Sequence, residues 1–150
     1  MINFFILNKK FKINKKKKLK KIIYYISLKE KKHIYNINYI FCNNKYILYL
    51  NNKYLKKNKF TDTISFNYSN DNNIIYGDIF ISIDQVYYNS IIYKVNFNKE
   101  MNYNIIHSLL HLIGYNDNNK LNYNKMFSIL KNIYIKKFKK KKKIKYEYKI

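Results

Sequence analysis

The sequence TDTISFNYSNDNNIIYGDIFISID, residues 61–84, predicts a β-hairpin that leads directly into a helix. In residues 61–68 apolar and polar side chains alternate, which is typical of a strand with one buried face. The cluster SNDNN is turn-forming, and residues 74–83 are rich in β-branched and aromatic side chains. Because few residues separate the two strands, we expect them to pair antiparallel. Asp84 predicts the N-cap of a helix that continues to about Tyr93.

The regions on both sides of this hairpin add two strands and four helices. The predicted strands are 2–7 and 34–41, and the predicted helices are 15–32, 46–55, 98–113 and 121–138. In the first helix the apolar residues at helical spacing are Leu19, Ile22, Ile23 and Ile26, and in the last they are Tyr123, Phe127, Leu130 and Tyr134. The element order β-α-β-α-β-β-α-α-α predicts a small single-domain α/β fold, with a roughly four-stranded mixed sheet packed with helices. The domain is expected over residues 1–135, followed by a basic C-terminal tail over 136–150.

The composition allows a hydrophobic core and indicates an anionic partner. Apolar residues form 47% of the 150 residues, and the net charge is +23, which favours nucleic acid as a partner. Base composition explains part of this charge, because Lys, Asn, Ile, Tyr and Phe have A/T-rich codons and the chain contains no Ala, Arg, Pro or Trp. The charge therefore permits binding to RNA or DNA without requiring it.

The same composition indicates a compartment. The single cysteine, Cys42, cannot form an intramolecular disulfide, which favours a reducing cytoplasmic location. No apolar run approaches the roughly 20 residues that a membrane-spanning helix needs, and the first ten residues do not resemble a signal peptide. We therefore expect no membrane partner.

The sequence HSLLHLIGYND, residues 107–117, predicts a metal site at the end of a helix. His107 and His111 are four residues apart and so lie on one face of a helix. Gly114 stands where the helix would end, and glycine accepts the left-handed backbone of a C-cap. The chain can then turn back, so that Asp117 becomes a third ligand. Two imidazoles and one carboxylate leave a fourth position open, as in catalytic zinc sites.

The histidine pair has two other interpretations. His107 and His111 could be ordinary residues of an apolar helix, because histidine pairs at this spacing also arise by chance. The spacing H-x₃-H-x₂-G-x₂-D also resembles the H-E-x-x-H-x-x-G-x-x-H pattern of zinc peptidases. Ser108 replaces the glutamate that acts as general base there, which argues against peptide hydrolysis.

Several blocks together resemble one family, the YbeY endoribonucleases, which are bacterial rRNA maturation factors. Residues 107–117 resemble the signature H-G-x-L-H-L-x-G-Y-D-H, and residues 61–68 resemble a T-D-V-L-S-F-P block. Residues 77–84 are similar to a G-D-I-x-I-S block, and residues 40–55 to a strand and helix of the family. These blocks keep the family order, and the resemblance covers about residues 20–135.

The resemblance implies one zinc ion, no small-molecule cofactor, cytoplasmic location and cleavage of single-stranded RNA. In the family this activity serves maturation of the small-subunit rRNA 3′ end and ribosome quality control, so the implied partner is precursor rRNA in the small ribosomal subunit. His107 and His111 match the first two metal ligands. Asp117 stands where most members have a third histidine and matches a branch with aspartate there.

One departure concerns catalysis. Most members have an arginine just before the T-D block, and Leu55 occupies the aligned position here. The nearby lysines, which cannot form the bidentate phosphate contact of arginine, are Lys56, Lys57 and Lys59. Catalytic residues beyond the metal ligands are therefore left unassigned, and a non-catalytic rRNA-binding or ribosome-binding protein is the alternative. Asp62 and Asp78 are expected to accept backbone hydrogen bonds at strand starts.

Overall fold

The computed structural model describes residues 1–138, with side chains through residue 133. The strands are β1 (Ile2–Ile6), β2 (His33–Cys42), β3 (Thr63–Asn67) and β4 (Ile74–Ser82). The helices are α1 (Lys16–Lys29), α2 (Asn44–Leu55), α3 (Ile83–Ile92), α4 (Phe97–Leu112) and α5 (Lys120–Phe138). The predicted element order is confirmed. Residues 139–150, most of the predicted basic tail, lie outside the described residues.

The four strands form one mixed sheet in the order β1-β2-β4-β3. Strands β1, β2 and β4 are parallel, and β3 pairs antiparallel with β4, with Ser65 opposite Ile79. The predicted mixed α/β architecture and the predicted antiparallel pairing are therefore confirmed.

The main core lies between one face of the sheet and helices α1, α4 and α5. The buried residues of this face include Ile37, Tyr39, Phe41, Ile79 and Ile81. The four apolar residues predicted to form the inner stripe of α1 are all buried against it. On the opposite face, α2 covers a smaller cluster formed by Cys42, Ile47, Leu50 and Ile64. In residues 1–138 no helix is long and apolar enough to cross a membrane.

The prediction that Asp84 caps α3 is wrong. The helix begins at Ile83, and its N-cap is Ser82, whose hydroxyl accepts a hydrogen bond from the Gln85 amide at 3.2 Å. Asp84 therefore falls in the first turn, where a negative charge is favourable. Its carboxylate accepts the Asn44 amide at 2.8 Å, at the start of the neighbouring helix α2.

Asp78 is also placed differently from its prediction. It lies in the middle of β4 rather than at a strand start. Its carboxylate accepts hydrogen bonds from two side chains, the Asn38 amide at 2.8 Å and the Tyr68 hydroxyl at 2.9 Å. The role of Asp78 is therefore to link side chains of neighbouring strands.

The inner stripe of α5 is shifted relative to its prediction. The buried residues are Met126, Leu130 and Ile133. Tyr123 and Phe127 are only half-buried, and their rings stack on each other with centroids 6.0 Å apart. The side chain of Tyr134 lies outside the described residues. Packing against α4 and the core, and not the aromatic pattern of α5 itself, therefore sets the rotation of this helix.

Candidate metal centre

The C-terminal end of α4 turns the chain back at Gly114. Gly114 has a φ of +106°, a left-handed conformation that favours glycine. Its amide donates to the His111 carbonyl at 3.0 Å, and the Tyr115 amide donates to the Leu110 carbonyl at 2.9 Å. These are the two hydrogen bonds of a Schellman motif, so the predicted C-cap role of Gly114 is confirmed. The motif directs residues 115–117 back toward the last turn of the helix.

The structure brings together the donor atoms of the three predicted ligands. The two histidine Nε2 atoms are 3.0 Å apart, and Asp117 Oδ2 lies 3.6 Å from Nε2 of His111 and 3.8 Å from Nε2 of His107. Ligand atoms about 2.0–2.1 Å from a tetrahedral zinc ion are separated from one another by about 3.3 Å. The observed triangle is close to that spacing, so the group formed by these residues could hold a metal ion.

Both imidazoles are suited to giving an Nε2 lone pair to a metal. Nδ1 of His111 is 3.1 Å from the Tyr115 carbonyl, to which it donates its proton, and this leaves Nε2 unprotonated. The His107 ring stacks on Tyr103, with ring centroids 5.4 Å apart. Burial, together with the neighbouring His111, lowers the pKa of His107 to about 4. His107 is therefore neutral at physiological pH, as metal coordination requires.

The site opens toward solvent on the side of Asp117. The side chains become more exposed in the order His107 (15%), His111 (28%) and Asp117 (41%). A cavity of about 280 Å³ adjoins the loop that carries Asp117, and its lining includes Tyr115 and Lys125. None of the three candidate ligands lines this cavity, so the accessibility of the ligand atoms rests on the exposure of Asp117.

A second carboxyl group lies beside the site. Asp62 directly precedes β3, and its carboxylate accepts a hydrogen bond from the Asn89 side chain at 3.3 Å. Burial raises the pKa of Asp62, and the nearby Asp117 raises it further, whereas His111 acts in the opposite direction. The predicted backbone contact is made by the carboxylate with the Thr63 and Asp62 amides, and these hydrogen bonds lower the pKa of Asp62. Sequence reasoning did not place its carboxyl group near the metal ligands.

Glu100 is a second acidic group that the sequence did not single out. It lies in the first turn of α4 and is only 3% exposed. Burial raises its pKa to about 7, the Asn104 amide lowers it, and Asp62 raises it. Its position at the start of the ligand-bearing helix, where apolar residues are common, gives no distinctive sequence signal.

Comparison with known proteins identifies the family. The family model for Endoribonuclease YbeY matches residues 4–138. This chain belongs to the Endoribonuclease YbeY family. It is 45% identical to Endoribonuclease YbeY of Karelsulcia muelleri (strain GWSS) over 78% of this chain and 82% of that protein. It is 35% identical to the protein of the same name from Amoebophilus asiaticus over 83% of this chain and 85% of that one.

A solved structure has a similar fold. The solution structure of TM1509 from Thermotoga maritima matches with a TM-score of 0.62 and 26% sequence identity, over 91% of both chains. The resemblance to the YbeY family that the sequence blocks indicated is confirmed by the family model and by these relatives. Leu55, which replaces the family arginine in that resemblance, is the last residue of α2.

Proposed function

We propose that this protein is a zinc-dependent endoribonuclease that cleaves single-stranded RNA. Its role would be maturation of the small-subunit rRNA 3′ end and ribosome quality control in the cytoplasm, with precursor rRNA in the small ribosomal subunit as its partner. The observation that carries the proposal is the convergence of His107, His111 and Asp117 on one point at the end of α4. Membership of the YbeY family supports RNA as the substrate.

The metal would be held by Nε2 of both histidines and by a carboxylate oxygen of Asp117. When bound, zinc supplies Lewis acidity toward a phosphoryl oxygen. The mixed nitrogen and oxygen donor set is a normal one for zinc. The Tyr115 carbonyl orients the His111 ring through Nδ1, and the Schellman turn keeps Asp117 near both rings.

Asp62 is the residue best placed to move a proton in this site. Its carboxyl group is buried beside His111 and Asp117, and the resulting rise in pKa favours the protonated form. A carboxyl group of this kind can donate a proton to a departing ribose oxygen or accept one from an attacking hydroxyl group. The Asn89 amide orients one of its two oxygens.

Lysines on the outer face of α1 would hold the RNA backbone. Their exposed members include Lys16, Lys17 and Lys21. Contacts between lysine and phosphate are independent of sequence and weaken as salt is added, because counterions are released on binding. The segment 100–119, which contains the proposed metal ligands, has no lysine, so phosphate contacts must come from neighbouring elements.

The proposal is tested by metal analysis together with cleavage of single-stranded RNA. The wild type is expected to bind one zinc ion and to cleave, whereas His111→Ala should lose both properties. His33→Ala is the matched control, because His33 is the third histidine and is exposed at the start of β2. Equal cleavage by wild type and His111→Ala, or a wild type without bound metal, would refute the proposal.

The alternative function, a non-catalytic rRNA-binding protein, rests on the replacement of the family arginine by Leu55. It predicts salt-dependent RNA binding and no cleavage with any divalent metal. A Leu55→Arg variant separates the two functions further. A catalytic protein should cleave faster with arginine restored, whereas a purely binding protein should gain affinity alone.

A further inference from the structure

The two histidines of the metal centre differ in what supports their outer nitrogen. His111 donates Nδ1–H to the Tyr115 carbonyl. Nδ1 of His107 is buried, and among the described residues it has no hydrogen-bond partner. Histidines that bind metal usually donate this second N–H to an acceptor, which fixes the ring and its tautomer. An acceptor for His107 is therefore expected close to its ring.

Asn104 offers such an acceptor one helical turn earlier on α4. Its Oδ1 is the other buried side-chain atom without a hydrogen-bond partner in the described part of the chain. The residue is fully buried. A buried ring nitrogen and a buried amide oxygen, both unpaired and on adjacent turns of one helix, each cost free energy that a shared hydrogen bond would recover once Nδ1 carries the ring proton.

The orientation of the Asn104 amide is fixed by Glu100. The Asn104 nitrogen Nδ2 donates to the Glu100 carbonyl at 2.9 Å and to Glu100 Oε1 at 3.1 Å. A flipped amide would place its oxygen against these two oxygen atoms, so Oδ1 must point away from Glu100. The amide therefore keeps an acceptor, and not a donor, available for a neighbouring N–H group.

Helix geometry places His107 within reach of this acceptor. Side chains three residues apart on a helix are neighbours, and they lean toward the N-terminus of the helix. The His107 ring follows this rule, because it stacks on Tyr103, the residue just before Asn104. The Asn104 and His107 side chains are therefore neighbours on α4.

We propose that Asn104 is the positioning residue of His107: its Oδ1 accepts the Nδ1–H proton of His107 when Nε2 is committed to a metal ion. This inference rests on the proposed metal site. Glu100 orients Asn104, Asn104 orients His107, and His107 presents Nε2 to the ion. These contacts all lie along α4, whereas the ring of His111 is oriented by the Tyr115 carbonyl in the turn after the helix.

The test compares zinc affinity in the wild type, Asn104→Leu and Ser108→Ala, measured by competition with a chromophoric chelator. Leucine has a similar volume and no acceptor, so Asn104→Leu should bind zinc about 10- to 100-fold more weakly. Ser108→Ala is the matched control, because Ser108 is equally buried and its hydroxyl donates only to carbonyls of α4, those of Asn104 and Ile105. It should bind zinc within about 2-fold of wild type. Equal affinity of Asn104→Leu and wild type would overturn the inference.

A second measurement does not require a folded variant. Proton and nitrogen NMR of the zinc-loaded wild type should show two imidazole Nδ1–H groups that exchange slowly with water, one from each histidine. A spectrum with only the His111 group protected would overturn the inference even if Asn104→Leu fails to fold. If the wild type binds no zinc, both the proposed function and this inference are refuted. If the wild type binds zinc and Asn104→Leu has the same affinity, only the inference is refuted.

Discussion

Replacing Glu100 by glutamine should change the pH dependence of folding stability in a defined direction. The pKa of Glu100 is raised from 4.5 to about 7 by burial. Between these two pKa values the Glu100 carboxyl group is therefore protonated in the folded protein and ionised in the unfolded chain. Its contribution to stability is complete below pH 4.5, where both forms are protonated. That stability is lost as the pH rises from 4.5 through 7. A shift of this size corresponds to at most about 3 kcal/mol.

Glutamine removes this titration and can keep the hydrogen bond from Asn104 through its own Oε1. Relative to wild type, the free energy of unfolding of Glu100→Gln should therefore rise by about 2–3 kcal/mol between pH 5 and pH 8, from the linkage relation. The measurement is urea unfolding of both proteins at several pH values in the presence of a metal chelator. Comparing the two proteins at each pH removes the contributions of groups that they share.

His107 supplies a check, because its contribution to stability changes with pH in the opposite direction. Its pKa is lowered to about 4, so its stabilising contribution is present above the unfolded pKa of 6.5 and is lost as the pH falls toward 4. His107→Gln should therefore gain stability relative to wild type on acidification, while Glu100→Gln loses it. If the difference between Glu100→Gln and wild type is the same at pH 5 and pH 8, the assignment of a raised pKa to Glu100 is refuted.

Three further predictions concern the two glycines and the lysines of α1. A Cβ atom at Gly77 would lie 2.2 Å from the Phe66 carbonyl oxygen and 2.7 Å from Leu112. Gly77→Ala should therefore lower the free energy of unfolding in urea by about 1–3 kcal/mol. Unchanged stability would contradict this packing. At Gly114 nothing lies within 4 Å of an added Cβ, and the φ of +106° is the only obstacle. Gly114→Ala should therefore lower the free energy of unfolding by about 1–2 kcal/mol and weaken zinc binding through Asp117. Gly114→Asn should recover part of both losses. An alanine variant equal to wild type in stability and zinc affinity would contradict the proposed role of the turn. The third prediction changes three exposed lysines to glutamine: Lys16, Lys17 and Lys21. The slope of log affinity for single-stranded RNA against log salt should become shallower by about 2, and an unchanged slope would remove α1 from the RNA-binding surface.

The features that could be predicted from the sequence are those set by local pattern. Alternation over 61–68 and 74–83 identified the hairpin, and helical spacing identified the buried stripe of α1. The four-residue spacing of His107 and His111, followed by a glycine, predicted the candidate metal centre for the same reason, because a helix and its C-cap are local structures. Asp117 could be included because the Schellman turn has a defined geometry.

The features that were missed depend on contacts between elements distant in the chain. Whether Ser82 or Asp84 caps α3 is decided by where β4 ends and by the Asn44 amide of α2, to which Asp84 is drawn. The rotation of α5 is decided by its packing on the core. The raised pKa of Asp62 results from burial near α3 and α4, and no local pattern in its own segment reports that environment.

The ligand-bearing helix α4 combines two tasks in one set of residues, and this explains how the metal centre is positioned. Its buried apolar side chains, among them Ile106, Leu109 and Leu110, fix the helix against the sheet. The core therefore places the backbone of both histidines, and the ring of His111 is also oriented by the Tyr115 carbonyl in the turn after the helix. Asp117 is the exception, since it is the most exposed ligand and is reached through the turn at Gly114. Changes in that turn should consequently alter metal affinity with little effect on the core, whereas changes at Gly77 should affect the core first and the metal centre through Leu112.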